Sequence, residues 1–589
     1  MTRAVATRRS LGTRRSLAPR RSLVLLVPAI LAACAGGGVP AEQADLVLRH
    51  ARIYTADPSR PWAEAVAVRE GRIAGVGGEA EVAGLVSPKT RVIDAGGRLV
   101  MPGFIDSHNH ITFGSDPEVL QLGEARDPKD LYDRLRRFAT AHPGLLWIEG
   151  EGWNYSIFPG GALPTWRDLE GLTNDRPAFL VSYDVHTVWL NRAGLKKLGV
   201  VRGTTSLPFG EVDVDPRTGE ATGILRSFAT MGLSTEGNAA LRKVLPSAST
   251  ERRYARLKRN LEIAVRFGIT TIVEPQAFLE DLPLFSRARQ EGLLRPRLQL
   301  ALFHPRGTTE ADLDRYDEAR RQFNDDHLRV AAIKLYIDDV VEPHTAALLQ
   351  PYSDAPSLKG ETLYTPEEFK TVAARLDRLK FQMFIHAIGD RGIRVALDAL
   401  QFARESNGAR DSRHELIHIE CLSPEDLPRF KALGVTACMQ PRHCAPDITG
   451  KWAMNIGPER SRYAWAFRSL KEAGATLAFA SDWNVAEMDP LVGIYTALTR
   501  QGLDGRPPGG WIPEQTIDLE TALRAYTIQG AWANFVEGSR GSIAVGKYAD
   551  LILLADDLFA LPPAKIKDTR VLLTLVGGEE VYRSPDAKL

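Results

Sequence analysis

The chain has 589 residues, 44% hydrophobic and 25% charged, which excludes a wholly disordered chain and leaves length for a barrel plus a smaller domain. Its 74 basic and 73 acidic residues nearly cancel. A nucleic-acid partner is therefore not expected, because no excess of basic charge is available to track phosphates.

The first element in chain order is "MTRAVATRRSLGTRRSLAPRRSLVLLVPAILAACAGGG", an arginine-rich stretch followed by an apolar run from Leu23 to Ala33 and then Cys34. The run is too short for a spanning helix and reads as a signal peptide over residues 1–33. "LAAC" followed by small residues has the form of a bacterial lipobox. It predicts cleavage before Cys34, lipidation of that cysteine, and an exported protein anchored in a membrane through its lipid, facing the periplasm or the cell exterior. An ordinary secretory signal containing a cysteine fits the same text, and Arg20-Arg21 before "SLVLL" leaves a twin-arginine export route open. Loss of residues 1–33 removes seven arginines and no acid, leaving 67 of the 74 basic residues against 73 acidic ones. Cys421, Cys438 and Cys444 then remain, an odd number that argues against a disulfide framework and leaves only a Cys438–Cys444 pairing open.

After a tether over 34–43, residues 44–99 carry "ADLVLRHARIYTAD", "AEAVAVREGRIAGVG" and "TRVIDAGGRLV", short strands split by turn residues. They predict the first part of a small β-sandwich, completed over 537–589 by "RGSIAVGKYADLILLADD" and "VLLTLVGGEEVYR". Over 100–536 the pattern changes. Apolar runs such as "LLWIEG", "AFLVSYD", "GITTIVE", "RLQLALF", "RVAAIKLYI", "FQMFIHAIG", "ELIHIE", "VTACMQ" and "TLAFASDW" alternate with helical stretches. This alternation predicts an α/β fold with a parallel sheet, and about eight such strands favour a closed (β/α)8 barrel of the TIM type. Gly-rich text near 190–245, "LPFGEVDVDPRTGEATGILRSF", interrupts the rhythm and is expected as an insertion over the barrel mouth.

Candidate chemistry sits where strands end. In "MPGFIDSHNH" an extended backbone puts His108 and His110 on one face, with Asn109 turned away. Two imidazoles on one face can grip one metal. Lys334, inside the apolar "AAIKLYIDD", must be neutral, paired or modified unless its head reaches water. His386 ends "FQMFIH", His418 lies in "ELIHIE", and Asp482 follows "TLAFAS". Each alone could be a hydrogen-bonded core histidine or a turn cap. Together they bring residues of metal-binding type from five strand ends to one barrel rim, where such barrels keep their chemistry. Trp153 in "EGWNY", His186 in "YDVHTVWL", and Arg442 with His443 in "QPRHC" are weaker candidates for substrate contact, with packing or a surface position as the alternative.

The ordered motifs "PGFIDSHNH", "EGWNYSIFPGGALPT", "YDVHTVWLNRAGL", "GEATGILR", "IKLYIDDVVEPHTAALLQPY", "HAIGDRGIRVALDAL", "LSPEDLPRFKALGVTACMQPRH" and "FASDWNVAEMDPLVGIYTALTR" run from about Ala44 to the C-terminus. The set resembles the metal-dependent amidohydrolase superfamily, and within it the YtcJ-like branch, amidohydrolase family 3. The resemblance implies a hydrolase of non-peptide C–N bonds in small-molecule amides, using zinc or another divalent metal as one or two ions. It implies that His108, His110 and Asp482 hold a first metal, that His386 and His418 hold a second, and that Lys334 bridges the two, carboxylated by carbon dioxide. A carbamate turns one amine into two hard anionic oxygens able to span two ions. Asp482 is then the expected proton acceptor and donor, with His418 helping to polarise the carbonyl. The chain departs from the family pattern in two places: Asp338-Asp339 replaces an Asp-Gly after the lysine, and Ile417 replaces a Glu. An esterase or lactonase on the same site, or a non-catalytic binding or regulatory lipoprotein, are the alternatives, and self-association as a homo-oligomer is left open.

Overall fold

Eight apolar runs, several buried on both faces along their whole length, form one parallel sheet in chain order. In the computed structural model, which describes residues 43–589 apart from 115, 233, 246 and 247, these strands are β1 (Phe104–Asp106), β2 (Ile269–Ala277), β3 (Arg297–Phe303) and β4 (Leu328–Tyr336), followed by β5 (Gln382–Ala387), β6 (Glu415–His418), β7 (Thr436–Met439) and β8 (Thr476–Phe479). The signal peptide, Cys34 and all but the last residue of the tether lie outside the described residues. Each strand pairs in parallel with the next. Between β8 and β1 there is no full ladder, but Ser107 N donates to Phe479 O (3.2 Å) and Asp482 N to His108 O (2.8 Å). The result is a nearly closed eight-stranded α/β barrel.

Helices cover the barrel because their apolar residues recur at helical spacing. Thr250–Arg266, capped by Ser249, buries Tyr254, Leu257, Leu261, Ala264 and Val265 along one stripe. Pro366–Arg378 starts with a reciprocal Thr365/Glu368 capping box. Inside the barrel, Val273, Ala301, Ala332, Phe384, Ile417, Cys438 and Ala480 form a separate apolar cluster. Ala332 shares a face with Lys334 two residues on, so this cluster forms the layer below the strand ends. Ile417 belongs to it, and the departure from Glu thereby gains a packing role.

Two of the runs expected in the barrel are elsewhere. "LLWIEG" and "AFLVSYD" supply Ile148–Trp153 and Ala178–Ser182 of a seven-stranded sheet drawn from residues 120–226, between β1 and β2. The insertion therefore begins well before the Gly-rich text near 190. After Ser182 the chain returns within a few residues as Val188–Leu190, and so short a connection permits only antiparallel pairing, which takes the sheet out of the βα repeat.

The two ends of the described chain share one apolar layer. A four-stranded sheet contributes Leu46, Leu48, Val66, Val68, Ile73 and Ile93, and a six-stranded sheet with strands from both ends contributes Ile53, Val100, Leu551, Leu553, Leu573 and Leu575. Cys421, Cys438 and Cys444 are buried free thiols, so Cys438 and Cys444 are not paired. Among the described residues no helix is long and apolar enough to cross a membrane.

The barrel seam is held by Asp106, the last residue of β1. Its buried carboxylate accepts from Ser481 Oγ (2.6 Å), Ser481 N (2.9 Å) and Asn109 Nδ2 (2.8 Å). Asp106→Ala would leave these buried donors without their acceptor. We expect a stability loss on the order of 3 kcal/mol in chemical denaturation; an unchanged midpoint would refute this role.

Candidate metal centre and substrate cleft

The backbone around the His-x-His run is fixed before any side chain is considered. Asn109 N donates to Val273 O (2.9 Å), His110 N to Trp483 O (2.8 Å) and Asp482 N to His108 O (2.8 Å), so the run is sewn between β2 and the loop after β8. Asp482 has φ +56° and His418 φ +76°, a left-handed conformation that is uncommon without glycine and concentrates at functional sites. At His418 it ends the extended run, which lets consecutive residues serve different sides: Ile417 joins the interior cluster and His418 faces the cleft.

Asp482 is the hub. Its Oδ1 lies 3.2 Å from His108 Nε2 and 3.3 Å from His110 Nε2, and its Oδ2 lies 3.8 Å from both His418 Nδ1 and His443 Nε2. Two triads can each present three ligand atoms to one ion: His108, His110 and Asp482, and His418, His443 and Asp482. His443, expected only as a substrate contact, thus falls within the potential ligand set. The His386 ring lies edge-on to His418 and tilted against His186, with ring centroids 4.6 and 5.6 Å apart, and its Nε2 is 3.5 Å from Asp339 O. Lys334 is fully buried, and its Nζ has no hydrogen-bond partner. It lies 4.8 Å from the centroid of the Tyr336 ring. Neither His386 nor Lys334 belongs to either triad.

Above this floor opens a cleft with an empty volume of about 960 Å³, its mouth included, lined by His110, His186, His386, His418, His443 and Asp482 among others. His186 meets the Asp339 carboxylate through Nδ1. Two expected contacts are corrected. Trp153 is fully buried in the core of the inserted sheet, its indole donating to Leu180 O (2.9 Å), and only its carbonyl serves the cleft, by accepting from Tyr183 N (2.9 Å). Arg442 is buried in a bidentate pair with Asp447 (2.8 and 2.6 Å) and a contact to Glu487 (2.9 Å), so its charge is spent on holding loops together.

The amidohydrolase family profile matches residues 91–582. The chain belongs to the amidohydrolase family. It is 30% identical over 558 residues to Protein LONG AFTER FAR-RED 3 of Arabidopsis thaliana, across 92% of each chain. It is 28% identical over 539 residues to the putative amidohydrolase YtcJ of Bacillus subtilis strain 168, across 90% of this chain and 98% of that one. Identity to the N-substituted formamide deformylase of Arthrobacter pascens is 26% over 547 residues, across 91% and 98%. The fold matches the crystal structure of an uncharacterized metal-dependent hydrolase from Pyrococcus horikoshii OT3 with a TM-score of 0.68 at 24% identity, covering 88% of this chain and 99% of that one.

The donor set of this amidohydrolase fits a divalent metal. Both ring nitrogens of His108, Asp482 Oδ1 and His443 Nε2 are buried without a hydrogen-bond partner, although buried polar atoms normally have one. Burial, helped by the nearby Lys334, pushes the His108 imidazolium down to about 3, and burial likewise holds His386 and His418 well below the usual histidine range. Burial pushes the Asp482 carboxyl up, but His108, His110 and His418 outweigh it and hold that group well below the usual carboxylate range. Neutral His108, His386 and His418 rings beside an ionised Asp482 carboxylate are the protonation states a metal needs.

The supporting roles of several residues were not legible in the sequence. Glu274, fully buried on β2, lies 3.8 Å from His110 Nδ1. Gln440 Oε1 lies 3.0 Å from His418 Nδ1. Asp338 accepts three backbone N–H bonds, from Ala347 (3.0 Å), Ile388 (3.0 Å) and Gly389 (2.8 Å), and so ties the loop after β4 to the loop after β5. Its neighbour Asp339 faces His186, which divides the Asp-Asp pair into a structural and a site-facing member. His110→Ala and Asp482→Asn are each expected to lower metal affinity at least about tenfold in equilibrium dialysis followed by elemental analysis. Trp153→Phe should keep metal content and lose about 1 kcal/mol of stability, the worth of one hydrogen bond.

Proposed function

We propose that this amidohydrolase cleaves a non-peptide C–N bond of a small-molecule amide, with zinc or a similar divalent ion held by His108, His110 and Asp482. The observation that carries this reading is the Asp482 carboxylate, whose two oxygens each face two imidazoles on the cleft floor. A second ion would be held by His386 and His418, or by His418 with His443, and Lys334 would bridge the two. The buried amine suits that bridge, because burial pulls it down to about 8 and a neutral fraction exists near neutral pH. Its nitrogen would bond to carbon dioxide and release a proton, leaving a carbamate anion. We further propose that the two end sheets pack as a β-sandwich, and that export and lipidation of Cys34 place the enzyme at a membrane surface.

A divalent ion bound at the floor supplies an acidified water and a Lewis-acid contact for the substrate carbonyl oxygen. Asp482, ionised and facing the cleft, accepts the proton of the attacking water at a carboxylate oxygen and passes it to the leaving nitrogen, so the amine departs neutral. The Gln440 amide oxygen takes the His418 Nδ1–H and orients the ring, which leaves Nε2 as the lone pair that would hold an ion able to polarise the substrate carbonyl. Phe113, Tyr336 and Trp465 line the cleft and keep bulk water from the reacting groups. The N-substituted formamide deformylase among the relatives makes N-substituted amides a reasonable first screen.

Chelation should abolish amide hydrolysis and added zinc should restore it, with Asp482→Asn lowering kcat by about 10²–10⁴-fold. A parallel ester with the same acyl group separates amidase from esterase: faster ester turnover with no amide turnover would refute the assignment. Intact-mass analysis should show one added carbon dioxide on the native chain that is absent in Lys334→Ala. Cys34→Ser should move the protein from the membrane fraction to the soluble fraction, and wild-type protein found only in the soluble fraction would refute the anchor.

A further inference from the structure

The walls of the cleft carry a charge pattern that the hydrolytic reaction does not use. Asp184, Glu342 and Glu420 line it together with Asp482, while among the described residues no lysine or arginine does. Among the described residues Glu342 forms no ion pair with a lysine, arginine or histidine. It is 6% exposed, and its one side-chain hydrogen bond is from the Tyr183 hydroxyl to Oε1 (2.7 Å). The other acids are partly occupied. Asp184 accepts from the His186 backbone N–H (3.0 Å) and lies 2.9 Å from the Tyr155 hydroxyl, and Glu420 takes the Trp452 indole N–H (2.9 Å) and sits 3.9 Å from His443. His186 and Asp339 balance each other.

The Glu342 backbone is held firmly. Asn455 Nδ2 donates to both Val341 O (2.8 Å) and Glu342 O (2.9 Å), and Arg226 donates to Pro343 O (2.9 Å), so the carboxylate is presented by a fixed loop. Burial, together with Glu420 and Asp184, pushes the Glu342 carboxyl up to about 8. A buried carboxyl without a counter-charge is costly to keep ionised, and a ligand cation would remove that cost. The rings of Phe113, Tyr183, Phe228 and Trp465 lie on the same walls, and aromatic rings attract cations.

We propose that the substrate is an amide bearing a cationic amine, seated against the Glu342 carboxylate on this aromatic wall, and that amides ending in a free carboxylate are excluded. The proposal rests on the amidohydrolase reading above and narrows it: N-acyl amino acids with a free carboxylate lose their place, because among the described residues no arginine or lysine lines the cleft to receive that group.

The test uses three amides of nearly equal length on the metal-loaded enzyme: N-acetylcadaverine, N-hexylacetamide and N-acetylaminocaproate, which end in ammonium, methyl and carboxylate. Calorimetry gives binding whether or not turnover occurs, and kcat/KM is measured where it does. N-acetylcadaverine should bind at least about tenfold more tightly than the neutral amide, with the anionic amide weakest. Glu342→Gln should collapse the cationic-to-neutral ratio. Equal binding of all three, preference for the anion, or a ratio that survives in Glu342→Gln overturns the proposal, and the wild-type series decides even if the variant does not fold. Cation-selective binding without hydrolysis of any amide supports the site and overturns the amidohydrolase substrate reading. Turnover without charge preference does the reverse.

Discussion

The hydrogen-bonded cluster of Asp106, Asn109 and Ser481 closes the barrel where a sheet ladder does not. A parallel barrel needs its first and last strands to meet, and here they meet through a buried carboxylate whose acceptor capacity is filled by a backbone N–H, a hydroxyl and an amide. Burial pushes the Asp106 carboxyl up to about 6, so this seam is electrostatically expensive and is tolerated because those donors offset it. The consequence reaches the reaction. His108 and His110 follow Asp106 by two and four residues and Asp482 follows Ser481, so the group that closes the barrel also sets the distance between the imidazoles and the carboxylate.

Asp338 repeats this logic on the other side of the barrel. Its carboxylate gathers three backbone N–H groups from the loops after β4 and β5 and fixes the backbone beside His386. A Cβ on Gly392 would come within 2.5 Å of that carboxylate, which explains a glycine inside a helix of 18 residues. Two buried acids that touch no reacting group therefore define two sides of the site. Such groups are costly when unpaired and rigid when satisfied, which suits them to holding ligand side chains in place.

The clustering of His108, His110, His418 and Asp482 was legible because it obeys strand periodicity: these residues, like Lys334 and His386, fall at or near the ends of barrel strands, and an apolar run interrupted by such a residue is readable in one dimension. The inserted sheet was not. "LLWIEG" and "AFLVSYD" are as apolar as barrel strands, and what separates them is the short antiparallel return after Ser182, a tertiary choice that periodicity does not encode. Trp153 was misplaced for the same reason, since an indole in an apolar strand packs equally well in a core or a cleft wall. Asp106 escaped notice, and Asp338 was read only as part of a departure from the family pattern, because a carboxylate buried by backbone amides leaves no composition or spacing signal for its role. His443 gave a signal in "QPRHC", but its approach to Asp482 depends on the loop after β7, whose path only the fold determines.

The groups proposed for chemistry and for substrate choice lie on different parts of this chain. The groups facing Asp482 come from the ends of β1 and β6 and from the loop after β7, and main-chain bonds fix the His108–His110 run within the barrel. Tyr183, Asp184, Val185 and His186 come from the inserted sheet, and Glu342 from the loop after β4. A change in the insertion can thus alter which amide reaches the floor while the floor keeps its geometry, the separation expected when rigid strands position loops of free composition. The Tyr183–Glu342 hydrogen bond joins these parts, as does the bond from Arg226 to Pro343 O. It couples the inserted sheet to the barrel loop through a hydroxyl that leaves the second carboxylate oxygen for a ligand, and so places the residue that would select substrate at the boundary between scaffold and insertion.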